Sequence, residues 1–373
     1  MKKNKILVNT NNGSYPILIG IGLINNLKKI LNSYSINSSK YLIIFDKNIP
    51  KKYIKTIKKN IRNKTIFVKF SSSEKNKNQK SVNSILNILL KNNFNRNDCI
   101  ISIGGGIAGD VSGFAASIFK RGIKFINIPT TLLAQVDSSL GGKVGINTAS
   151  GKNLIGSFYQ PSIVISDINF LKTLPKREII CGYGEILKHS IISDKKFFLY
   201  LDKNVSKILN LKSPFIERSI YKSCLIKKEI VEKDEKEKNL RKLLNFGHTF
   251  AHAYEATLGY SKKLNHGEAV ILGIMSACRF SYKKKILNEI EYKLIQNHIF
   301  KLNKSLKLNK FFGKKDVNKI VKFMIVDKKN INEKINLVLL KKIGKAEFKN
   351  FYKVTDIKKF IKNQFSNTSI EWI

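Results

Sequence analysis

Cys99-Ile100-Ile101-Ser102-Ile103-Gly104-Gly105-Gly106-Ile107-Ala108-Gly109-Asp110 joins a short, almost wholly apolar run to a glycine cluster, and a helical apolar segment from Val111 to Phe119 follows. A run of this length without a polar face reads as a strand buried on both sides, the habit of parallel sheets. Glycines at the junction let backbone N–H groups approach a pyrophosphate, which would sit at the positive end of the helix. Gly104, Gly106 and Gly109 formally spell G-x-G-x-x-G, but the run is not in the first βαβ unit and no acidic residue lies about twenty positions on. Tight strand–helix packing is therefore an equal reading. Asp46, closing the earlier apolar run Tyr41–Phe45, is the candidate ribose partner.

The same texture extends outward. Lys5–Val8 and Tyr15–Ile19, joined through Asn12-Gly13, read as a hairpin. Helical periods at 23–31, 51–61 and 81–90 alternate with strand runs at 41–45, 65–70, 99–103 and 124–128, which predicts a mainly parallel sheet covered by helices. Past Leu174-Pro175 long amphipathic segments dominate, at 178–192, 197–211, 216–233, 243–258 and 269–285, and strand signals nearly vanish apart from 335–340. The fold expected is an N-terminal α/β domain (1–174) followed by a mostly α-helical domain (175–373), with the site between them.

Composition narrows the function. The chain has 373 residues and a formal net charge of +43. Lysine is spread from Lys2 to Lys362 with abundant Asn and Ile, a pattern closer to drift toward A/T-rich codons than to a nucleic-acid patch. Specific nucleic-acid binding is not expected, although a positive field attracts anionic substrates. Cys99, Cys181, Cys224 and Cys278 are isolated, which argues against redox motifs, zinc ribbons and a disulfide framework. The start, 1–9, is too poor in apolar residues for a signal segment and no stretch reaches a membrane span, so a soluble, cytoplasmic protein without membrane contact is expected.

Three of the five histidines fall within nineteen positions. His248 and His252, in Asn245-Phe246-Gly247-His248-Thr249-Phe250-Ala251-His252, stand one helical turn apart, and His266 returns in Asn265-His266-Gly267-Glu268. Neutral imidazoles gathered in this way suit a divalent transition metal that takes a carboxylate as third ligand. Glu185, in Gly182-Tyr183-Gly184-Glu185-Ile186-Leu187-Lys188, is the candidate carboxylate and leaves an open position for substrate or water. A lone Glu–Lys pair three apart is usually a surface ion pair. Arg241 and Asn245, four and three positions apart, are expected to share a helical face with His248. Pro129 to Lys143, with Gly151-Lys152-Asn153 and Arg121, offers hydroxyls, an acid and cations for phosphate and polyol groups; an ordinary polar loop is the alternative.

Taken together, Gly104-Gly105-Gly106-x-x-Gly109-Asp110, the segment Pro129 to Lys143, Gly151-Lys152-Asn153, Leu171-Lys172-Thr173-Leu174-Pro175, Glu185-x-x-Lys188, Leu240 to His252 and His266-Gly267-Glu268-Ala269-Val270 resemble the 3-dehydroquinate synthase family, in order from about Glu74 to Lys345. The resemblance implies an NAD-binding α/β domain, a metal-binding helical domain and a homodimer. It also implies a zinc- or cobalt-dependent lyase of the shikimate pathway that cyclises a sugar-acid phosphate with transient NAD reduction. By motif, the metal ligands would be Glu185, His248 and His266. NAD would meet Asp46, Ser72, Ser73, Glu74, Lys75, Asn76, Lys77, Gly106, Ile107, Ala108, Gly109, Asp110, Thr130, Thr131, Lys143, Lys152, Phe170, Leu171, Lys172 and Thr173. Substrate would meet Asp137, Lys143, Asn153, Lys188, Lys227, Arg241, Asn245, His252, Lys328 and Arg121, the last from across a dimer interface. Ser73, Asn239 and Ala251 stand where glycine is common in the family, and none of these departures removes a polar side chain. A metal-dependent polyol or glycerol dehydrogenase, or a related sugar phosphate cyclase, is the nearest rival.

Overall fold

The computed structural model describes residues 3–11, 13–61, 63–326 and 334–365. In chain order, β1 (Lys3–Thr10) and β2 (Gly13–Gly20) lead into α1 (Leu27–Ser33), β3 (Lys40–Asp46), α2 (Lys51–Asn60), β4 (Lys64–Phe70), α3 (Gln79–Lys91) and β5 (Cys99–Gly104). Then come α4 (Gly106–Ile118), β6 (Lys124–Pro129), β7 (Lys143–Thr148), β8 (Gly151–Phe158) and β9 (Ile163–Asp167). The helical stretch follows: α5 (Lys176–Ser193), α6 (Lys195–Leu209), α7 (Phe215–Lys233), α8 (His248–Thr257), α9 (His266–Lys283), α10 (Glu289–Leu302) and α11 (Val317–Val326). A hairpin, β10 (Lys334–Lys342) and β11 (Lys345–Lys353), precedes α12 (Val354–Gln364). Contacts divide the chain into Met1–Ile179 with Ile216–Lys236, and Ile180–Phe215 with Glu237–Ile373. The division is not a single cut near Leu174, because α7 belongs with the α/β unit.

In the α/β unit a seven-stranded sheet runs β1-β2-β9-β6-β5-β3-β4. Only the β1–β2 pair is antiparallel, with Thr10 opposite Gly13, while β2–β9, β3–β4, β3–β5, β5–β6 and β6–β9 are parallel. Strand alternation sorts the core. Tyr41, Ile43, Cys99, Ile101 and Ile103 pack on one face with residues of α1 and α2. Leu42, Ile44 and Ile100 pack on the other with residues of α3 and α4. From β3 the chain steps outward to β4, then crosses back to β5 and on to β6. Strand order therefore reverses between β3 and β5, where the carboxyl ends of open α/β sheets receive ligands. Asp46 and Gly104 end those two strands.

Three elements differ from the sequence reading. Strand β9 is a five-residue run with no periodicity to separate it from buried helix. Of the residues read as a phosphate- and polyol-binding loop, Lys143 and Gly151-Lys152-Asn153 lie in the hairpin β7–β8, and β8 has no buried face to announce it. Strand β11 alternates Lys, Glu and Asn with aromatics, and its pairing with β10 decides its state.

The helical unit is organised around α9, which is buried along most of its length. The expected single helix 243–258 is broken. A 3-10 turn covers Leu240–Asn245, Gly247 is left-handed at φ 78°, and α8 starts only at His248. A Cβ at Gly247 would stand 2.7 Å from the Ile274 nitrogen of α9, so close approach of the two backbones sets the break. The shared face proposed for Arg241, Asn245 and His248 is thereby lost.

A buried polar chain also spans this unit. Tyr183 Oη meets His298 Nε2 at 3.0 Å and His298 Nδ1 meets Asp202 Oδ1 at 2.9 Å. The hydrogen bond from His298, with Lys301 alongside, holds the Asp202 carboxyl down to about 2. A depressed carboxyl contributes stability above its unfolded value, and the contribution is lost as pH falls through the folded one. Asp202→Asn is therefore expected to destabilise by up to about 1 kcal/mol at pH 6, a partly exposed acid being screened. Urea unfolding of both proteins should show the difference shrinking between pH 4 and pH 2, the window that these two values define.

Candidate metal and dinucleotide sites

In the helical unit Glu185 lies mid-α5 with 0% exposure. Neither carboxylate oxygen has a hydrogen-bond partner of good geometry, and the charge is met by an ion pair with Lys188, one turn on and 2% exposed. The i,i+3 pair is thus buried, not a surface pair. His248 Nε2 stands 3.6 Å from Glu185 Oε1. One ligand atom from each of Glu185, His248 and His266 lies within 4.8 Å of the others. Burial, then Lys188, His252 and His266, push the His248 imidazole well below its ordinary value. It is neutral at pH 7, the state a metal requires.

The outer contacts orient both rings. His248 Nδ1 meets the Phe246 carbonyl at 3.3 Å and His266 Nδ1 meets Glu255 Oε2 at 3.0 Å. Buried carboxylate oxygens without hydrogen bonds, facing two imidazole nitrogens, fit a divalent ion. The His252 ring centroid lies 5.4 Å from that of His248 and 6.2 Å from that of His266. Arg241 is buried, and Asn245 donates to Glu237 at 2.8 Å. Lys328 lies outside the described residues.

In the α/β unit α4 begins at Gly106 behind Gly105, and no side chain caps it. The glycines also pack closely, since a Cβ at Gly104 would meet Ala108 Cβ at 2.6 Å and one at Gly106 would meet Ser138 Oγ at 2.9 Å. The tight strand–helix packing reading of the glycine run is seen directly: packing fixes the turn. Thr130 donates its amide to the Gly104 carbonyl, and the Thr131 hydroxyl accepts from Ala134 N at 3.1 Å. Phe170 and Leu171 are core residues, with Phe170 against Tyr53 at 4.7 Å between centroids. Lys172 and Thr173 are exposed.

Lys77 binds Asp110 and Asn153, each at 2.5 Å. Glu74 accepts from Asn147 at 2.7 Å and pairs with Lys152 at 3.5 Å. Segment 74–77 is thus pinned to β7–β8. Burial raises the Asp110 carboxyl, and Lys77 opposes the shift. Asp137 sits in a π-turn, Ala134–Ser138, and Lys227 of α7 grips its carboxylate at 2.5 Å and its carbonyl at 2.6 Å. Lys143 is exposed at the start of β7 and Ser72 follows β4. Arg121 is exposed and left-handed at φ 66°. Sequence reasoning missed Glu255, Glu237 and Asn147. Of these only Glu255 carried a signal, lying seven positions after His248 and three after His252.

A doubly wound, mainly parallel sheet and a helical unit with a Glu–His–His group built on the buried Glu185 define a sugar phosphate cyclase fold. Residues 67–181 match the family described as 3-dehydroquinate synthase N-terminal, and residues 182–330 match 3-dehydroquinate synthase C-terminal. The 3-dehydroquinate synthase of Pelagibacter ubique (strain HTCC1062) is 60% identical over 363 residues, covering 97% of this chain and 99% of that protein. The chain belongs to the 3-dehydroquinate synthase family. Among solved structures, 2-deoxy-scyllo-inosose synthase complexed with carbaglucose-6-phosphate, NAD+ and Co2+ superposes with a TM-score of 0.85 at 24% identity, covering 96% of this chain and 100% of that one. The 2-epi-5-epi-valiolone synthase of Streptomyces hygroscopicus subsp. jinggangensis 5008, with NAD+ and Zn2+ bound, gives 0.82 at 21%, covering 94% and 96%.

The glycine contacts generate a test. A Cβ at Gly267, next to His266, would fall 2.6 Å from the Cys181 carbonyl oxygen of α5. Gly267→Ala should destabilise the protein by about 1–3 kcal/mol through overpacking and lower its zinc content. Denaturant unfolding and metal analysis of the purified variant check both effects.

Proposed function

We propose that this chain uses a zinc or cobalt ion to convert 3-deoxy-D-arabino-heptulosonate 7-phosphate into 3-dehydroquinate and phosphate, with transient reduction of NAD. The convergence of Glu185, His248 and His266 within 4.8 Å carries the reading. When bound, the ion polarises substrate hydroxyls and the dinucleotide takes a hydride and returns it. The chain's own residues position and compensate charge. Lys227 and Arg241, both buried, hold the substrate carboxylate. Lys143, Asn153, Asn245, His252 and Lys328 hold the phosphate, which serves as base in its own elimination. Lys188 and Asp137 meet the substrate hydroxyls. Asp46, Ser72 to Lys77, Gly106 to Asp110, Thr130, Thr131, Lys143, Lys152 and Phe170 to Thr173 line the dinucleotide. Buried cations beyond the metal group favour a carboxylated substrate over the plain polyol of a dehydrogenase.

The protein acts as a homodimer in the cytoplasm. Among the described residues no helix is long and apolar enough to cross a membrane, and the four cysteines are buried and form no disulfide. The exposed Arg121 is the residue offered to a partner subunit.

Purified protein given the heptulosonate phosphate and NAD should release phosphate with no accumulation of NADH, and coupling to a dehydratase should yield the enone. Stoichiometric NADH without phosphate would establish the dehydrogenase reading instead. His266→Ala should lose its metal and more than about 100-fold of its rate, exceeding the usual effect of an outer-shell change, with an unaltered circular dichroism spectrum. A zinc-replete, fully active variant removes His266 from the ligand set.

A further inference from the structure

The face of α8 that carries His248 and His252 continues to Glu255, at spacings of four and seven, so the three side chains line one side of the helix. Glu255 is 7% exposed, and its Oε2 meets His266 Nδ1 at 3.0 Å. His266 is the first residue of α9 and its side chain is 38% exposed. Of the two imidazoles in the metal group, it is the one with room to turn toward solvent. It also stands in the positive end of the α9 dipole, which draws electron density away from the ring.

We infer that Glu255 is a positioning residue for the metal. It accepts the Nδ1–H of His266, fixes the tautomer that exposes the Nε2 lone pair, and offsets the helix dipole so that the ring stays a strong donor. The inference rests on the metal reading above and adds a residue that never touches the ion. His248 is held by a different device, the Phe246 carbonyl at 3.3 Å on its Nδ1. That partner is backbone on the turn before α8, already fixed by the left-handed Gly247. For His266 the partner is a carboxylate from α8, while Asn265, just before it, is engaged with Glu268 in a capping box.

The test is metal affinity, read directly. Metal-free wild-type protein, Glu255→Gln and Glu255→Met are titrated with Zn2+ and with Co2+ against a chromophoric chelator. The d–d absorption of each Co2+-loaded protein is recorded, together with the unfolding midpoint of each metal-free protein. Outer-shell partners are worth about 10–100-fold in metal affinity. Gln retains an acceptor without the charge and should weaken binding by roughly the lower figure, while Met retains volume without an acceptor and should approach the upper. The metal-free unfolding midpoint of Glu255→Gln should stay at the wild-type value, which separates positioning from folding. If Glu255→Met does not fold, Glu255→Gln alone decides. Wild-type affinity and an unchanged Co2+ spectrum in a folded variant would overturn the role of Glu255 while leaving the metal site standing. Failure of the wild-type protein itself to bind either ion would overturn the metal reading and this inference with it.

Discussion

Close backbone approach to α9 is the constraint on which the helical unit depends. Each candidate ligand has a glycine beside it in sequence, and each of those glycines touches α9 or belongs to it. Gly184, before Glu185, has room for no more than Ile271 Cγ1 and the Gly267 carbonyl, at 3.0 and 3.3 Å from where a Cβ would be. Gly247, before His248, abuts Ile274, and Gly267, after His266, abuts Cys181 of α5. Side chains longer than hydrogen at these points would hold α5, α8 and α9 apart by more than a metal's bond lengths tolerate, zinc ligands sitting about 2.0–2.3 Å from the ion. Metal geometry here is a consequence of helix packing.

Electrostatics then selects what that packing admits. A buried carboxylate is costly unless paired, and breaking such a pair costs about 3–5 kcal/mol. Glu185 has Lys188 as its counter-charge but no hydrogen bonds to complete its oxygens. The His248 imidazole, its Nδ1 held outward, adds a lone pair and no positive charge, since burial and neighbouring groups push it well below its ordinary value. A divalent cation is the one occupant that satisfies the oxygens and the lone pairs together.

Legibility in the sequence followed the range of the interactions involved. Strands β3 to β6 and the helices between them could be read because their apolar patterns are local and strong. Glu185, His248 and His266 could be nominated from residue type and motif. Their convergence was expected by motif alone; its physical cause was not legible, because it depends on glycine contacts between segments far apart in sequence. The break before α8 was hidden for the same reason. Leu240 to Leu258 has an unbroken helical pattern, and only the approach of Ile274 to Gly247 shows why the chain turns there. Glu255 stood on the right face but looked like any surface glutamate, because nothing local shows that its partner is His266. The hairpin β7–β8 escaped because its exposed strand carries no burial signal.

The lysine excess separates from the chemistry on the same physical grounds. At physiological salt, charges more than about 8 Å apart across solvent are largely screened, so dispersed surface lysines can raise encounter rates but cannot orient a ligand. The lysines that can orient one are those taken out of solvent, and each is already held by an acid of its own unit: Lys77 by Asp110, Lys227 by Asp137 and Lys188 by Glu185. Such pairing holds the ammonium groups in place. On the function proposed above, a phosphate or carboxylate that enters would meet preset donors and exchange one anionic partner for another. It would not have to order a flexible side chain, whose immobilisation costs about 0.5–1.5 kcal/mol.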